Sequence, residues 1–496
     1  MRLVLVLALL GCVLTANALE LGTPFSDGAV LQREMRVPVW GRARAGNEIA
    51  VSFAGQTKET VVRADGTWRI DLDPLVASCE GREIRVVESE PGFFGSTVDE
   101  RVVRDVLVGE VWFASGQSNM ECPIWYPGPR YRDRNGQMIV QMTKLPLVRF
   151  AKNQCIWRVK PEELKATWLP FTREGLMASK PLIGSVAFYY ARELHFALGV
   201  PIGIVDSSWG GTNIDAWTPR SGYRDCDPSI RSTADYPVRQ DYDQERDGRG
   251  PINGPMQQPT VLWNAMVASW APMAMRGMIW YQGCHNSREP ELYCAKMHAL
   301  YNGWSREFGN PSLKFYFVQL APFRTSWLPM VQAQNKFVAE EKNAAIAVLS
   351  DVGNFDDIHP NDKDIVAKRL VVHALKRDYG FPIDEDDSPV LKDVSFDGGK
   401  ARLSFVHVKS WFVYARDASL NPPFEMAGKD GVWYPADLCN EIVKEGNQKG
   451  DVTGTDLILV SEKVADPVRV RYMGQDRTCG TLFNEMSLPL GAFETP

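Results

Sequence analysis

The sequence predicts a doubly wound α/β domain on a parallel sheet, with a smaller β region on either side. Outside the central region, apolar residues alternate with polar ones between short turns, which is typical of antiparallel strands. In the centre, nearly continuous apolar runs alternate with helical patterns, and this alternation produces a parallel sheet covered by helices. The buried-strand runs are at residues 106–114, 202–205, 278–281, 315–318 and 346–349. The helical patterns are at residues 186–198, 261–270, 292–308, 331–342 and 364–379.

The N-terminal region, residues 19–104, is predicted to be a small β-sandwich. Asp65-Gly66 lies between two of its strands, and Asp-Gly is a common hairpin turn because both residues tolerate positive φ. Period-2 apolarity indicates strands that bury one face only. The alternating runs are at residues 37–40, 49–53, 60–62 and 68–72.

The first eighteen residues have the pattern of a secretory signal. A basic start at Met1-Arg2 precedes an apolar segment, and Ala16-Asn17-Ala18 fits the small-x-small cleavage rule. A lipoprotein box at Leu9-Leu10-Gly11-Cys12 is the less favoured alternative, because the segment before it is short. No second long apolar stretch follows, so we expect no membrane span. The mature protein is expected to be secreted, lumenal or periplasmic.

The central region, residues 105–385, is predicted to be the α/β domain. Gly199 and Gly309 follow helical patterns as C-caps, and Pro272 stops a third helix. Ligands of such sheets bind at the carboxyl ends of the strands. A polar stretch at residues 220–254 is interpreted either as a lid or as a surface insertion. After an acidic linker, alternation returns and predicts a final β domain at residues 386–496.

Composition and missing motifs exclude several function classes. The 496 residues include 55 Lys+Arg against 61 Asp+Glu, a net charge of −6, with no long basic run. Nucleic acid is therefore not an expected partner. Dinucleotide, ATP and zinc-protease motifs are absent from the sequence, so neither a cofactor nor a metal is expected. Eight cysteines remain after Cys12, and this even number in an exported protein predicts some disulfides.

Ser118 and His359 are the candidate catalytic pair. Ser118 follows the first buried strand within Gly116-Gln117-Ser118-Asn119, where a tight turn can expose its hydroxyl. His359 follows the strand predicted at residues 346–349, and Asp356 three residues earlier can fold back to hold its Nδ1–H. The alternatives are a simple turn serine, and a capping aspartate beside a surface histidine.

Polar or glycine-rich segments follow two further strands. Trp209-Gly210-Gly211 places backbone N–H groups where they can point at an anion. Gln282 and Asn286 bring amide side chains to a third strand end. Because these loops follow parallel strands of one sheet, we expect them to converge on one rim.

These motifs resemble those of the sialate O-acetylesterase family of carbohydrate esterases, within the SGNH hydrolase superfamily. The resemblance rests on Gly-Gln-Ser-Asn-Met, Trp-Gly-Gly-Thr, Trp-Tyr-Gln-Gly and Asp-x-x-His-Pro, and it covers nearly the whole chain after the signal. It implies a three-layer α/β/α fold with a flavodoxin-like sheet. It also implies removal of acetyl esters from sugar hydroxyls, as in O-acetylated sialic acids, without a metal.

The resemblance also implies roles for single residues. It makes Ser118 the nucleophile, His359 the base and Asp356 the orienting acid. The implied oxyanion hole is made by the Ser118 N–H, Gly211 (or Gly210) and Gln282. The residues then expected near the substrate are Asn119, Trp209, Gly210 and Asn286.

Cys284 is a departure from the family, which usually has Trp-Tyr-Gln-Gly-Glu at this point. Loss of that Glu leaves three interpretations open. The loop that carries Gln282 is less well positioned, Cys284 braces it through a disulfide, or the change is neutral. The function alternatives are an esterase for other acetylated sugars such as xylan, and a catalytically silent sugar-binding protein.

Overall fold

The structure is a computed structural model that describes residues 18–92, 96–125, 136–235, 254–414, 417–439, 442–445, 449–452 and 455–495. The expected signal and the alternative lipoprotein box lie almost entirely outside the described residues. Within them, the chain is a mixed α/β protein with one large mixed β-sheet and additional smaller β-sheets. None of the helices in the described ranges has the length and apolar character needed to cross a bilayer.

The N-terminal strands form as the alternating pattern predicts. In β6, Trp68, Ile70 and Leu72 are buried while Arg69 and Asp71 between them are exposed, so one face of the strand packs on the core. Strands β1, β3 and β6 form one antiparallel sheet, and β4 pairs with β5 and β7. The bounds are β1 Glu20–Leu21, β2 Val30–Gln32, β3 Val37–Arg42, β4 Glu48–Phe53, β5 Gln56–Val61, β6 Thr67–Leu72 and β7 Ser78–Ser89.

Strand β8, Thr97–Gly116, connects the N-terminal region to the central sheet. Its first part pairs antiparallel with β7, and residues 107–109 pair parallel with β2. Every residue from Val106 onward is buried, as expected for the continuous apolar run. The strand runs across the predicted domain boundary between residues 104 and 105.

The central sheet has the strand order β10-β9-β11-β8-β12-β13-β14, in which all neighbours are parallel except the edge pair β10 and β9. All five predicted buried strands are present. Strand β9 was not predicted, because Lys144, Arg149 and Lys152 interrupt its apolar run. The further bounds are β9 Lys144–Lys152, β10 Leu169–Thr172, β11 Ile202–Ser208, β12 Gly277–Tyr281, β13 Lys314–Val318 and β14 Ala344–Ala347.

Four of the five predicted helices are regular α-helices, and α4 ends at Gly199 with φ +65° as the C-cap signal predicts. The predicted helix at residues 261–270 is helical but irregular: the π-helical turn Trp263–Val267 is followed by the 3₁₀ turn Ala268–Trp270. Apolar periodicity alone does not separate these helix types. The α-helices are α1 Ser118–Glu121, α2 Gly136–Met142, α3 Arg173–Ala178, α4 Ser185–Leu198, α5 Arg231–Ala234, α6 Pro290–Glu307, α7 Leu328–Glu340 and α8 Lys363–Arg377.

The C-terminal region forms three four-stranded sheets around a core of its own. Leu328 and Val331 of α7 are part of this core, which fixes the region to the α/β part of the chain. The bounds are β15 Val390–Asp397, β16 Lys400–Val406, β17 Trp411–Tyr414, β18 Phe424–Ala427, β19 Trp433–Pro435, β20 Asp437–Leu438, β21 Ile442–Glu445, β22 Lys449–Val452, β23 Leu457–Val460, β24 Arg469–Tyr472, β25 Leu482–Phe483 and β26 Phe493–Glu494.

Two sequence interpretations outside the site have different outcomes. Residues 220–235 of the polar stretch form short helical turns beside α6, while residues 236–253 lie outside the described part, so the choice between lid and insertion stays open.

The expected disulfides are not formed in the structure. The eight cysteines of the described ranges are free thiols, and several of them contact oxygen atoms instead, as Cys155 does with Glu121.

Candidate active site

The turn that carries Ser118 is built by a glycine that no other residue can replace without strain. Gly116 ends β8 with φ +137°, and a Cβ there would lie 2.3 Å from the Tyr281 carbonyl oxygen on the neighbouring strand β12. The chain can therefore turn sharply, and α1 begins at Ser118. Gln117 ties the turn to the end of β12, because its Oε1 accepts the N–H groups of Gly283 and His285, each at 3.2 Å.

Ser118, His359 and Asp357 are hydrogen-bonded in series. The Ser118 Oγ lies 2.9 Å from His359 Nε2, although 241 positions separate the two residues in sequence. The Asp357 Oδ1 lies 2.9 Å from His359 Nδ1 and also accepts the His359 backbone N–H at 3.0 Å. A carboxylate on Nδ1 fixes the tautomer whose Nε2 can accept a proton from the serine hydroxyl. A hydroxyl, an imidazole and a carboxylate joined in this order can act chemically as a nucleophile, its base and the acid that orients the base.

Asp356 is not the residue that holds His359, and this corrects the expected acid. The Asp356 side chain is 94% exposed and lies 3.9 Å from Arg477. The reason is the local turn: the Asn354 Oδ1 accepts the backbone N–H groups of both Asp356 and Asp357. This turn presents Asp357 to the imidazole and leaves Asp356 in solvent.

Asn119, which was expected near the substrate, instead holds the loop that carries His359. Its Nδ2 donates to the Ile358 carbonyl oxygen at 3.1 Å, and its Oδ1 accepts from the Lys363 ammonium. Asn119 and Lys363 are both buried, and Lys363 also lies over the Tyr281 ring at 5.3 Å. Asn119 thus joins α1 to the loop that carries His359. Sequence reasoning missed Lys363, since a lysine at a helix start carries no signal of burial.

The two glycines after β11 have different partners. The Gly210 N–H donates to Glu121 Oε2 at 2.6 Å, and a Cβ on Gly210 would lie 3.1 Å from the Ser118 Cβ. Gly210 therefore lies against the serine, but its donor is engaged by a carboxylate. The backbone N–H groups of Ser118 and Gly211 have no acceptor among the described residues. Gly211 directly follows the glycine that lies against Ser118, so both donors belong to the segments that meet at this serine.

The Gln282 side chain is hydrogen-bonded to interior groups and has no free donor, which corrects its expected place in the oxyanion hole. The side chain is fully buried, and its Nε2 donates to the Thr212 carbonyl oxygen at 3.0 Å and to Asn286 Oδ1 at 2.7 Å. The hydroxyl of Tyr293 donates to Gln282 Oε1 at 2.7 Å. Because an amide nitrogen has only two hydrogens, none is left for an oxyanion.

Asn286 and Trp209, which were expected near the substrate, are interior residues. The Asn286 Oδ1 also accepts the Ile214 N–H, and its Nδ2 donates to Glu289. The Trp209 side chain is 1% exposed. Asn286 thus joins loops of the site from the interior, and the structure does not place either residue on an open surface.

Cys284 does not brace its loop through a disulfide. It opens the 3₁₀ turn Cys284–Asn286 as a free thiol, and the hydrogen bonds from Gly283 and His285 to Gln117 hold this loop instead. Burial raises the pKa of the Cys284 thiol to about 12, so it is neutral at physiological pH. Burial also lowers the pKa of His285. Neither group supplies a charge to the site.

A buried ion pair fixes the end of β11. The Lys152 ammonium lies 2.9 Å from Asp206 Oδ1, and Asp206 Oδ2 accepts the Gly184 N–H at 2.7 Å. Both side chains are almost fully buried. Burial alone would lower the pKa of Lys152, but the charge and hydrogen bond of Asp206, together with nearby Cys155 and Glu121, outweigh burial and the pKa is raised. The pair therefore stays ionised beneath the site.

Asp206→Asn is expected to destabilise the protein by about 3–5 kcal/mol, because it leaves the Lys152 ammonium buried without its counter-charge. Denaturant unfolding followed by fluorescence measures the change. Asp71→Asn is the matched control, since Asp71 pairs with Arg69 at 2.7 Å on the surface and should contribute less than about 1 kcal/mol. If the two variants lost equal free energy of unfolding, burial of the Lys152–Asp206 pair would not explain the effect.

The comparisons with known proteins define the class of this protein as an esterase that acts on carbohydrates. A family described as carbohydrate esterase, sialic acid-specific acetylesterase, matches residues 108–368, slightly more than half of the chain. The matched range contains Ser118, Asp357 and His359. The chain belongs to this family.

The relatives agree with this assignment over most of their length. The crystal structure of a carbohydrate acetylesterase from Xanthomonas citri is 31% identical, covers 97% of this chain and 100% of that chain, and superposes with a TM-score of 0.79. The mouse sialate O-acetylesterase is 26% identical over 469 residues, 82% of each chain. The human sialate O-acetylesterase is 26% identical over 449 residues, 81% of this chain and 78% of its own.

Proposed function

We propose that the protein is an exported sialate O-acetylesterase that works by acyl transfer through Ser118, His359 and Asp357. The observation that carries the proposal is the 2.9 Å hydrogen bond between Ser118 Oγ and His359 Nε2, with Asp357 on the other ring nitrogen. Export rests on the N-terminal signal pattern. The proposed fold is the three-layer SGNH type, in which the α4 and α8 pair and the α6 and α7 pair cover opposite faces of the sheet. The contacts of α4 with α8 and of α6 with α7 support the pairing of these helices.

The acyl-transfer chemistry follows from the order of the three groups. His359 Nε2 takes the proton of Ser118 as Oγ attacks the acetyl carbonyl carbon, and Asp357 stabilises the imidazolium that forms. The imidazolium then protonates the departing sugar oxygen, which leaves an acetyl ester on Ser118. A water molecule activated by the same imidazole hydrolyses this ester and releases acetate.

The oxyanion hole is proposed to consist of the backbone N–H groups of Ser118 and Gly211. Their lack of an acceptor among the described residues supports this assignment. Gly210 is held by Glu121 and Gln282 by its own interior partners, so both shape the loops rather than receive negative charge. Loss of one oxyanion donor costs about 10²–10³ in rate in other hydrolases.

The substrate is proposed to be an O-acetylated sialic acid, with other acetylated sugars such as xylan as the alternative. The family description and the mammalian sialate O-acetylesterases favour sialic acid. The Xanthomonas neighbour carries the broader description of carbohydrate acetylesterase, and it supports the alternative.

Acetate release from 9-O-acetylated sialic acid and from acetylated xylan, compared at equal acetyl concentration, tests the proposal. We expect a higher kcat/KM for the sialic acid. A preference for xylan would overturn the substrate but leave the esterase chemistry intact. An aryl acetate is the control, because it reports the Ser118 chemistry without sugar recognition. Absence of hydrolysis with all three esters would favour the silent sugar-binding alternative.

A further inference from the structure

Three side chains of different chemistry converge where α6 packs against α7, away from the residues proposed for catalysis. Cys294 and His298 are four residues apart on α6, so they share one face of that helix. Glu340 ends α7. The Glu340 Oε2 lies 3.6 Å from the Cys294 Sγ and 2.9 Å from His298 Nε2, and the three donor atoms lie within 4.8 Å of one another.

These separations are close to those of ligands around a tetrahedral zinc ion. Zinc bonds of roughly 2.3 Å to sulfur and 2.0–2.2 Å to nitrogen and oxygen place sulfur and oxygen ligands about 3.6 Å apart, and nitrogen and oxygen ligands about 3.4 Å apart. The observed sulfur–oxygen separation already fits. The nitrogen–oxygen separation is short because a direct hydrogen bond joins the two groups. A small rotation of Glu340, whose side chain is 45% exposed, would open it.

The surroundings allow an ion to enter. Cys294 is buried at the base of the cluster, whereas His298 and Glu340 are partly exposed and leave the outer side open. Lys336 is a competing cation, but it lies 4.0 Å from the Glu340 Oε1, whereas Oε2 is the oxygen that contacts Cys294 and His298. The set therefore offers one thiol, one imidazole and one carboxylate oxygen, with room for water as the fourth ligand.

We infer that Cys294, His298 and Glu340 form a binding site for a divalent transition-metal ion, with zinc as the best match. A thiolate and an imidazole favour zinc over calcium or magnesium, which prefer oxygen ligands. On binding, the Cys294 thiol loses its proton to solvent, and the hydrogen bonds within the cluster are replaced by bonds to the metal. No electron transfer is involved.

The metal would join α6 to α7 and stabilise the region beneath the candidate active site. Tyr293, next to Cys294 on α6, donates to Gln282, and Lys296 two residues later pairs with buried Asp215. A fixed α6 thus holds the loops that follow β11 and β12. The ion acts on structure and takes no part in the proposed acyl transfer.

Cobalt and zinc titrations of the chelator-treated full chain test this site. We expect about one Co²⁺ per chain with an intense thiolate-to-cobalt charge-transfer band, displacement of Co²⁺ by Zn²⁺, and a higher melting temperature with Zn²⁺. Cys294→Ser should abolish the band, and His298→Gln should weaken binding at least roughly tenfold, since even loss of an outer-shell partner costs that much. Both variants should melt at similar temperatures to each other without metal.

Cys79→Ser and Glu307→Gln are the controls, because Cys79 is an exposed thiol elsewhere and Glu307 is an exposed carboxylate at the other end of α6. Both should bind Co²⁺ like the unchanged protein. The inference is overturned if the unchanged protein shows no thiolate band, or if the band survives in Cys294→Ser. If Cys294→Ser does not fold, His298→Gln decides: undiminished cobalt affinity in that variant also refutes the site.

Discussion

Ser118→Ala is expected to lower kcat for acetyl ester hydrolysis by about 10⁴- to 10⁶-fold. The substitution removes the atom that attacks the carbonyl carbon, and the remaining groups can only assist water, as in other serine hydrolases that lose a member of the triad. Initial rates with an aryl acetate measure the loss. The fold should be unchanged, because the Ser118 side chain contributes one hydrogen bond and little packing.

Ser115→Ala is the matched control for this prediction. Ser115 lies on β8 three residues earlier, and its hydroxyl is buried without a hydrogen-bond partner among the described residues. Its removal should be neutral or slightly stabilising, since an unpaired buried hydroxyl is unfavourable. An Ser118→Ala protein that retains its rate, or an equal loss in Ser115→Ala, would contradict the role of Ser118.

Asp357→Asn is expected to lower kcat by about 10²- to 10⁴-fold, with much less change in KM. The asparagine cannot stabilise the imidazolium charge, and its amide can donate to Nδ1 and so favour the tautomer that cannot accept the serine proton. The lower end of this range reflects the partial exposure of Asp357, whose side chain is 44% accessible. Steady-state kinetics with the same aryl acetate give both constants.

Asp356→Asn makes the same charge change one residue away. Asp356 is exposed and, within the described ranges, its side chain pairs only with Arg477, at 3.9 Å. The kcat of this variant should therefore stay within about twofold of that of the unchanged protein. The reverse result, with activity lost in Asp356→Asn and kept in Asp357→Asn, would restore the acid expected from sequence and refute the assignment from geometry.

The predictable parts of the fold are those with a strong local pattern. The buried runs around Val111, Ile204 and Ile279 predicted strands because a strand covered on both faces is apolar at consecutive positions. Strand β9 was not predicted because charged residues interrupt its apolar run. Lys152 in particular is charged and yet buried, and its partner Asp206 is 54 residues away.

At the site, the sequence predicted which loops meet but not where each side chain points. Ser118 and His359 were expected on converging loops, and the structure brings them together. The adjacent Asp356 and Asp357 carry equal local signals, and the turn set by Asn354 decides between them. Gln282 was expected in the oxyanion hole, but Thr212, 70 residues away, and Tyr293, 11 residues away, hold its amide in the interior.

Strand β8 extends over 20 residues, and its pairing with the N-terminal strands helps the central sheet to avoid self-association. A fragment that began at residue 105 would lose the ladders that β2 and β7 make with residues 106–109. The apolar strand leading to Ser118 would then present unpaired backbone groups at an open edge, which is a template for aggregation. The N-terminal strands thus cover the part of β8 that extends beyond its neighbours β11 and β12, and a soluble catalytic fragment has to retain them.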